Sequence, residues 1–170
     1  MFYPELEGNA LKAYEGMCAK LKSKAMSELG LGPDQVILRP LMATDIGYGE
    51  EGDWSQMSTG TTAGAAGWTG SNQVVTVPNG RWIGIHGIST ADTAGKLTQL
   101  RIQREGSDAR YWDVSHIHAF QTQTGYADDP VTVDQNTSMT ILNYARTASS
   151  LNLTNLLGCV AEKRGMTINP

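Results

Sequence analysis

The 170-residue sequence has little of several features that mark specialised classes of protein. Its two cysteines, Cys18 and Cys159, are far apart and form no CxxC pair, which argues against a disulfide-rich scaffold or a zinc finger. No run of 18 apolar residues occurs, so we expect no membrane-spanning helix. The first residues lack a basic stretch followed by an apolar one, so we also expect no secretory signal peptide.

Charge is also scarce. Charged residues make up 18% of the chain, the formal net charge is −4, and no cluster of Lys and Arg occurs. A mildly acidic chain without a basic patch is not expected to bind nucleic acid directly. Hydrophobic residues account for 40% of the sequence, which favours a folded chain over a disordered one. The length suits one domain with its own core.

The composition changes near residue 44, because threonine is absent before this point and frequent after it. We predict that 1–43 holds an N-terminal helix and the first strand, and that 44–170 forms a β-sandwich in the same domain. Apolar residues recur every three or four positions between 5 and 29, which predicts an amphipathic helix that ends at Gly30. They are Leu6, Ala10, Ala13, Tyr14, Met17, Leu21, Ala25 and Leu29.

The rest of the chain is typical of β-structure. Short apolar or alternating runs separated by turn residues predict about eight strands. They lie at 35–43, 72–77, 81–88, 97–104, 110–120, 131–133, 137–145 and 151–161. Asn79-Gly80 predicts a hairpin, and Pro40 predicts an edge strand or a bulge. The segment 151–161 fits either a strand or a short helix. The fold class is therefore mainly β, an antiparallel eight-stranded sandwich or jelly roll preceded by one amphipathic helix.

A Gly/Thr-rich stretch at 47–71 has too few large side chains to anchor a core. Long loops of this kind are commonly functional or disordered. Trp54 and Trp68 bracket the stretch and are candidate anchors for a contact with another molecule. The helix offers Tyr14, Met17 and Leu21 as further candidates for a subunit interface, although a helix packed on its own sheet fits the same pattern.

Three histidines suggest a metalloenzyme as an alternative. If 110–120 is a strand, His116 and His118 share one face and could bind one metal ion, with His86 as a third ligand. The His-x-His pair resembles part of the cupin metal motif, which implies a metal-binding barrel. However, the segment after His118 supplies no carboxylate where that motif has one. A structural role for these histidines at a sheet surface or subunit contact fits as well.

Other catalytic patterns are missing from the sequence. It holds no Gly-x-Ser-x-Gly motif, no phosphate-binding loop and no calcium loop. We therefore assign no catalytic residue and no cofactor, and we expect a protein that is not an enzyme.

The layout of one helix, one antiparallel sandwich and long loops resembles the small single jelly-roll capsid proteins of icosahedral viruses. The resemblance implies a structural viral protein that self-assembles as a homo-oligomer, alone or with other capsid proteins, in a virion put together in the host cytoplasm. Many such subunits carry a basic N-terminal arm, whereas this N-terminal region is neutral, so another protein or an internal membrane could lie beneath the shell. A decoration protein or a carbohydrate-binding module is the other alternative.

Overall fold

A computed structural model of the chain describes residues 6–46, 57–59, 67–69, 74–90, 97–120, 122–145 and 152–166. In chain order the elements are helix α1 (Gly8–Leu29), β1 (Val36–Pro40), a 3₁₀ turn (Ala43–Ile46), β2 (Met57–Thr59), β3 (Gly67–Thr69), β4 (Val74–Thr76), β5 (Arg81–Thr90), β6 (Leu97–Arg104), β7 (Arg110–Asp113), helix α2 (Ser115–Ala119), β8 (Thr124–Val133), β9 (Ser138–Ala145) and β10 (Asn152–Lys163).

The strands form two antiparallel sheets. The first sheet has the order β1-β10-β5-β8, and β2 pairs with the other end of β10. The second sheet has the order β3-β9-β6-β7, and β4 also pairs with β9. The pairs are nested: β1 with β10, β3 and β4 with β9, β5 with β8, and β6 with β7. One long hairpin rolled up in this way is a jelly roll, which confirms the predicted fold class.

Two local predictions about strands are corrected. The Asn79-Gly80 turn does form, with the Arg81 amide donating to the Pro78 carbonyl at 3.2 Å. However, it joins β4 in the second sheet to β5 in the first, so the strands on either side of it do not pair as a hairpin. The 47–71 stretch, expected as a loop, contributes two short strands, β2 and β3. The segment 151–161 is a strand, and β1 ends at Pro40 on a sheet edge, as predicted.

Helix α1 lies against the first sheet on the face opposite the second sheet. One buried cluster contains Met17, Leu21 and Ala25 of the helix together with Trp82, Cys159 and others from the strands. The helix ends as predicted, because Gly30 adopts the left-handed conformation (φ +63°). Within the described residues, no helix combines the length and the apolar character needed to cross a membrane.

Strand β5 is the centre of this three-layer arrangement. Its alternate side chains Ile83 and Ile85 belong to the core between the two sheets, whereas Trp82 belongs to the cluster under the helix. Gly84 lies on the helix side, where an added Cβ would come within 2.5 Å of the Met17 sulfur and 2.7 Å of a Leu21 methyl group. The absence of a side chain at Gly84 therefore lets the helix approach the sheet closely.

Candidate functional site

The segment 110–120 was expected to be one strand, and the structure corrects this expectation. Strand β7 ends at Asp113, and the chain then turns into the short helix α2. The Asp113 carboxylate accepts hydrogen bonds from the Ser115 amide, at 2.9 Å, and from the Ser115 hydroxyl. Val114 and Ile117 are three residues apart and both buried, which is helical spacing. The hydrogen bonds between Ser115 and Asp113 and the burial of Val114 and Ile117 together favour the helix over a continued strand.

A glycine lets α2 close over the end of the core. Ile117 is buried beside Gly125 of β8, and a Cβ at Gly125 would come within 2.8 Å of the Ile117 side chain. The backbone carbonyl of Ile117 accepts hydrogen bonds from both the amide and the hydroxyl of Thr122, at 3.0 and 3.2 Å. These contacts fix the position of α2 between β7 and β8.

A surface cleft of about 530 Å³ opens between β7, α2 and β8. We call it the aromatic cleft, and its main side chains are Tyr111, Trp112, Asp113, His116, Phe120 and Tyr126. Phe120 is 78% exposed and Tyr111 is 57% exposed, the two highest values among the large hydrophobic side chains of the described residues. Exposed apolar groups that share one cleft are typical of a binding surface. The cleft is therefore the candidate functional site.

Polar groups in the aromatic cleft add charge to this surface. The hydrogen bond from the Ser115 hydroxyl, followed by the one from the Ser115 amide, lowers the pKa of Asp113 below its ordinary value of 3.8. Asp113 is thus an anion at neutral pH. Arg101 on β6 stands opposite Tyr111 on β7, and its guanidinium lies 6.0 Å from the centre of the Tyr111 ring, within reach of a cation–π contact.

The three histidines considered as metal ligands are held in different surroundings. His86 is buried under helix α1, with ring-centre distances of 5.0 Å to Tyr14 and 4.9 Å to Tyr126. His118 donates a hydrogen bond from Nε2 to the Leu97 carbonyl at 3.1 Å, whereas His116 lines the aromatic cleft. Among the described residues, no group of three His, Cys, Asp or Glu side chains is arranged to hold a metal ion. The three-histidine centre considered as an alternative is therefore not formed by these residues.

The side chains chosen as interface candidates have varied positions. Met17 and Leu21 are 4% and 1% exposed, because they pack on the chain's own first sheet. Tyr14 packs partly against the same cluster and against His86. Trp68 lies on β3, where its backbone pairs with Tyr144, and Trp54 lies outside the described residues. The apolar face of α1 is thus used within the domain.

Sequence reasoning did not find a buried group of four charges, which we call the charge cluster: Arg39, Asp45, Arg81 and Glu162. Arg39 donates two hydrogen bonds to the Asp45 carboxylate, at 2.6 and 2.7 Å, and two to Glu162, at 3.0 and 3.2 Å. Arg81 donates to Glu162 at 3.0 Å and lies 3.5 Å from Asp45. Both carboxylates have no solvent exposure. The two cations and two anions therefore neutralise one another inside the fold.

The strands explain how the charge cluster is assembled. Glu162 on β10 stands directly opposite Arg81 on β5, and Arg39 lies on β1, along the other side of β10. Asp45 reaches them from the 3₁₀ turn and also accepts a hydrogen bond from the Met42 amide at 2.9 Å. Burial acts to lower the pKa of Arg39, but its bonds to the two carboxylates outweigh burial and raise it. The sequence signal for the charge cluster was Arg39, a charged residue within the otherwise apolar run of the first predicted strand.

In comparisons with known proteins, the chain matches no family model and no curated protein. The aromatic cleft and the charge cluster are therefore interpreted from their own geometry. The two carboxylates of the charge cluster have no solvent exposure and are paired with its arginines, which suits a structural role. The aromatic cleft faces solvent, so among the described residues it is a surface available for contact with another molecule.

Proposed function

We propose that this chain is a structural subunit of an icosahedral virus capsid that assembles with copies of itself. The nested jelly-roll pairing supports the proposal, since this architecture is common in capsid proteins and also occurs in lectins and cupins. Fold alone is a weak argument for function, so the proposal depends mainly on the surface.

The observation that favours assembly is the exposure of Phe120 and Tyr111 in the aromatic cleft. Large aromatic side chains are enriched in the cores of protein interfaces, where a few of them supply most of the binding energy. Exposure of both rings on an isolated subunit leaves apolar surface in water. Burial of that surface against a neighbouring copy would remove the unfavourable exposure of apolar groups to water. In a shell, every subunit has neighbouring copies that can provide this contact.

The experiment compares the double variant Tyr111→Ser/Phe120→Ser with the control Met166→Ser, which removes a 41% exposed side chain after β10. We expect the double variant to raise the concentration needed for assembly by at least about tenfold, because a loss of about 1.4 kcal/mol already gives that factor and truncation of a hot spot costs about 2 kcal/mol or more. The control should assemble like the unmodified chain. Assembly of the double variant at unchanged concentration, seen by sedimentation and electron microscopy, would contradict the role of the cleft.

A carbohydrate-binding module is a second candidate function, favoured by the mixed lining of the aromatic cleft. Rings such as Tyr111 and Trp112 offer flat apolar faces, and the anionic Asp113 offers acceptor oxygens for hydroxyl groups. A glycan array separates the two functions. Binding that is lost in the Tyr111→Ser/Phe120→Ser variant would favour this candidate, provided that the unmodified chain also forms no particles.

A further inference from the structure

The only two cysteines of the chain meet at the contact between α1 and the first sheet. Cys18 lies on α1 and Cys159 on β10, 141 positions apart in sequence, yet their Sγ atoms are 3.3 Å apart. Both are free thiols. A disulfide bond is about 2.05 Å long, so the two sulfurs would need to approach by roughly 1.2 Å. The fold thus brings together two thiols that the sequence places far apart.

The two thiols differ in access and acidity. Cys159 is buried, whereas Cys18 is partly exposed. The hydrogen bond from Cys159 and a weaker one from Tyr14 outweigh burial and lower the pKa of Cys18 to about 7. The hydrogen bond with Cys18, followed by burial, raises the pKa of Cys159 above its ordinary value. The lowered pKa favours the thiolate, the reactive form, at Cys18, while the raised pKa of Cys159 keeps its proton in place at neutral pH.

We propose that Cys18 and Cys159 form an oxidation site that reacts with a low-molecular-weight disulfide, such as glutathione disulfide, and fastens α1 covalently to the first sheet. The Cys18 thiolate attacks one sulfur of glutathione disulfide, which forms a mixed disulfide and releases one glutathione thiolate. The Cys159 sulfur then attacks the Cys18 sulfur, and its proton goes to the second departing glutathione. Two protein thiols are oxidised, and one disulfide is reduced to two thiols.

The experiment incubates the reduced, folded chain with glutathione disulfide, then unfolds it in urea so that the buried Cys159 becomes accessible, blocks remaining thiols with iodoacetamide and measures the intact mass. We expect a product that has lost two hydrogens, carries no glutathione and no blocking group, and yields a linked peptide pair containing Cys18 and Cys159. The bond would close a loop of nearly the whole chain, so the melting temperature should rise by roughly 10 °C and fall again on reduction.

Single variants check the order of the two steps. Cys159→Ser should trap glutathione on Cys18, whereas Cys18→Ser should leave the buried Cys159 unmodified. The mass of the unmodified chain decides the proposal even if a variant folds poorly. A lasting glutathione adduct on the unmodified chain, a disulfide between two chains, or two thiols still open to iodoacetamide after oxidation would each overturn it.

Discussion

Glu162 has no solvent exposure, lies between the guanidinium groups of Arg39 and Arg81, and shares both of them with Asp45. Removal of one partner from a buried ion pair leaves an uncompensated charge, which costs far more than loss of an exposed pair. The charge cluster contains two of each sign, so any single neutralising substitution unbalances it. At the residue scale this makes Glu162 a sensitive position in the fold.

We expect Glu162→Gln, which keeps the shape and removes the charge, to reduce the free energy of unfolding by about 3–5 kcal/mol. Denaturation by urea measures the loss. The matched control is Asp129→Asn, because Asp129 pairs with Arg110 at the surface, where both side chains are more than half exposed. The control should cost less than about 1 kcal/mol. Similar small losses in both variants would show that the cluster does not stabilise the fold.

His86 is the second residue whose effect on stability can be measured, in this case through the pH dependence of the unfolding free energy. It is 2% exposed, and neither ring nitrogen makes a hydrogen bond of normal geometry with a described residue. Burial lowers the pKa of His86 below 6.5, and the neighbouring Leu157 backbone offsets only part of this effect. Its ring neighbours are Tyr14 and Tyr126, and burial raises the pKa of Tyr126 further above its ordinary value of 10. The fold therefore favours neutral His86.

The sign of the pH dependence follows from this lowered pKa. In the unfolded chain His86 takes up a proton near pH 6.5, whereas in the folded chain it does so only at a lower pH. Stability should therefore be unaffected by His86 above pH 6.5 and should fall below it, by up to about 1.4 kcal/mol per pH unit, until the folded-state pKa is reached. His86→Phe should flatten the unfolding free energy in that range, and the exposed His116→Gln serves as a control. If the unfolding free energies of His86→Phe and of the unmodified chain depended on pH in the same way, His86 would not be the source of the pH dependence.

At the scale of elements, α1 is a full layer of the fold. Met17, Leu21 and Ala25 are buried against the first sheet, and Gly84 provides the space for them. The periodicity of the sequence predicted the helix, but it could not say which surface the apolar stripe covers. That choice depends on Trp82, Cys159 and Ala161, which come from distant strands.

Two leucines of α1 allow a matched test of this packing. Leu21 is 1% exposed and Leu11 is 37% exposed, so the same change to alanine alters helix propensity equally and burial unequally. We expect Leu21→Ala to lower the free energy of unfolding by about 2–5 kcal/mol, and Leu11→Ala to change it by about 0.5 kcal/mol or less. Calorimetry or urea denaturation measures both. Equal effects would place the helix away from the sheet.

Strand prediction succeeded for a segment whose alternating pattern matches its structure, and it failed for a segment whose structure depends on side-chain hydrogen bonds and burial. Leu97–Arg104 alternates clearly and was predicted with its observed bounds. The segment from Trp112 to His118 also alternates, but it forms a helix after Asp113 instead. Ser115 donates hydrogen bonds to the Asp113 carboxylate, and Val114 and Ile117 are buried three residues apart. The aromatic cleft could not be predicted, because it depends on that helix.

At the scale of the whole molecule, the nested pairing brings together segments from opposite ends of the chain. The charge cluster draws on positions 39, 45, 81 and 162, and the cysteine pair on positions 18 and 159. Neither has a local pattern, so neither could be recognised in the sequence. The fold class and most of the longer strands could be predicted, since turn residues and alternation mark them locally. The sequence predicted about eight strands, whereas the described residues hold ten, because the 47–71 stretch contributes β2 and β3.

The central claim is that this jelly roll assembles with copies of itself into a shell. The most direct measurement is sedimentation velocity of the purified chain over a range of concentrations, with negative-stain electron microscopy of the fastest fraction. The account predicts closed particles in the megadalton range, many times the 18.3 kDa of one chain. A monomer or small oligomer at every concentration, with no particles in the images, would contradict it, and binding only to shells already formed by another protein would favour a decoration protein instead.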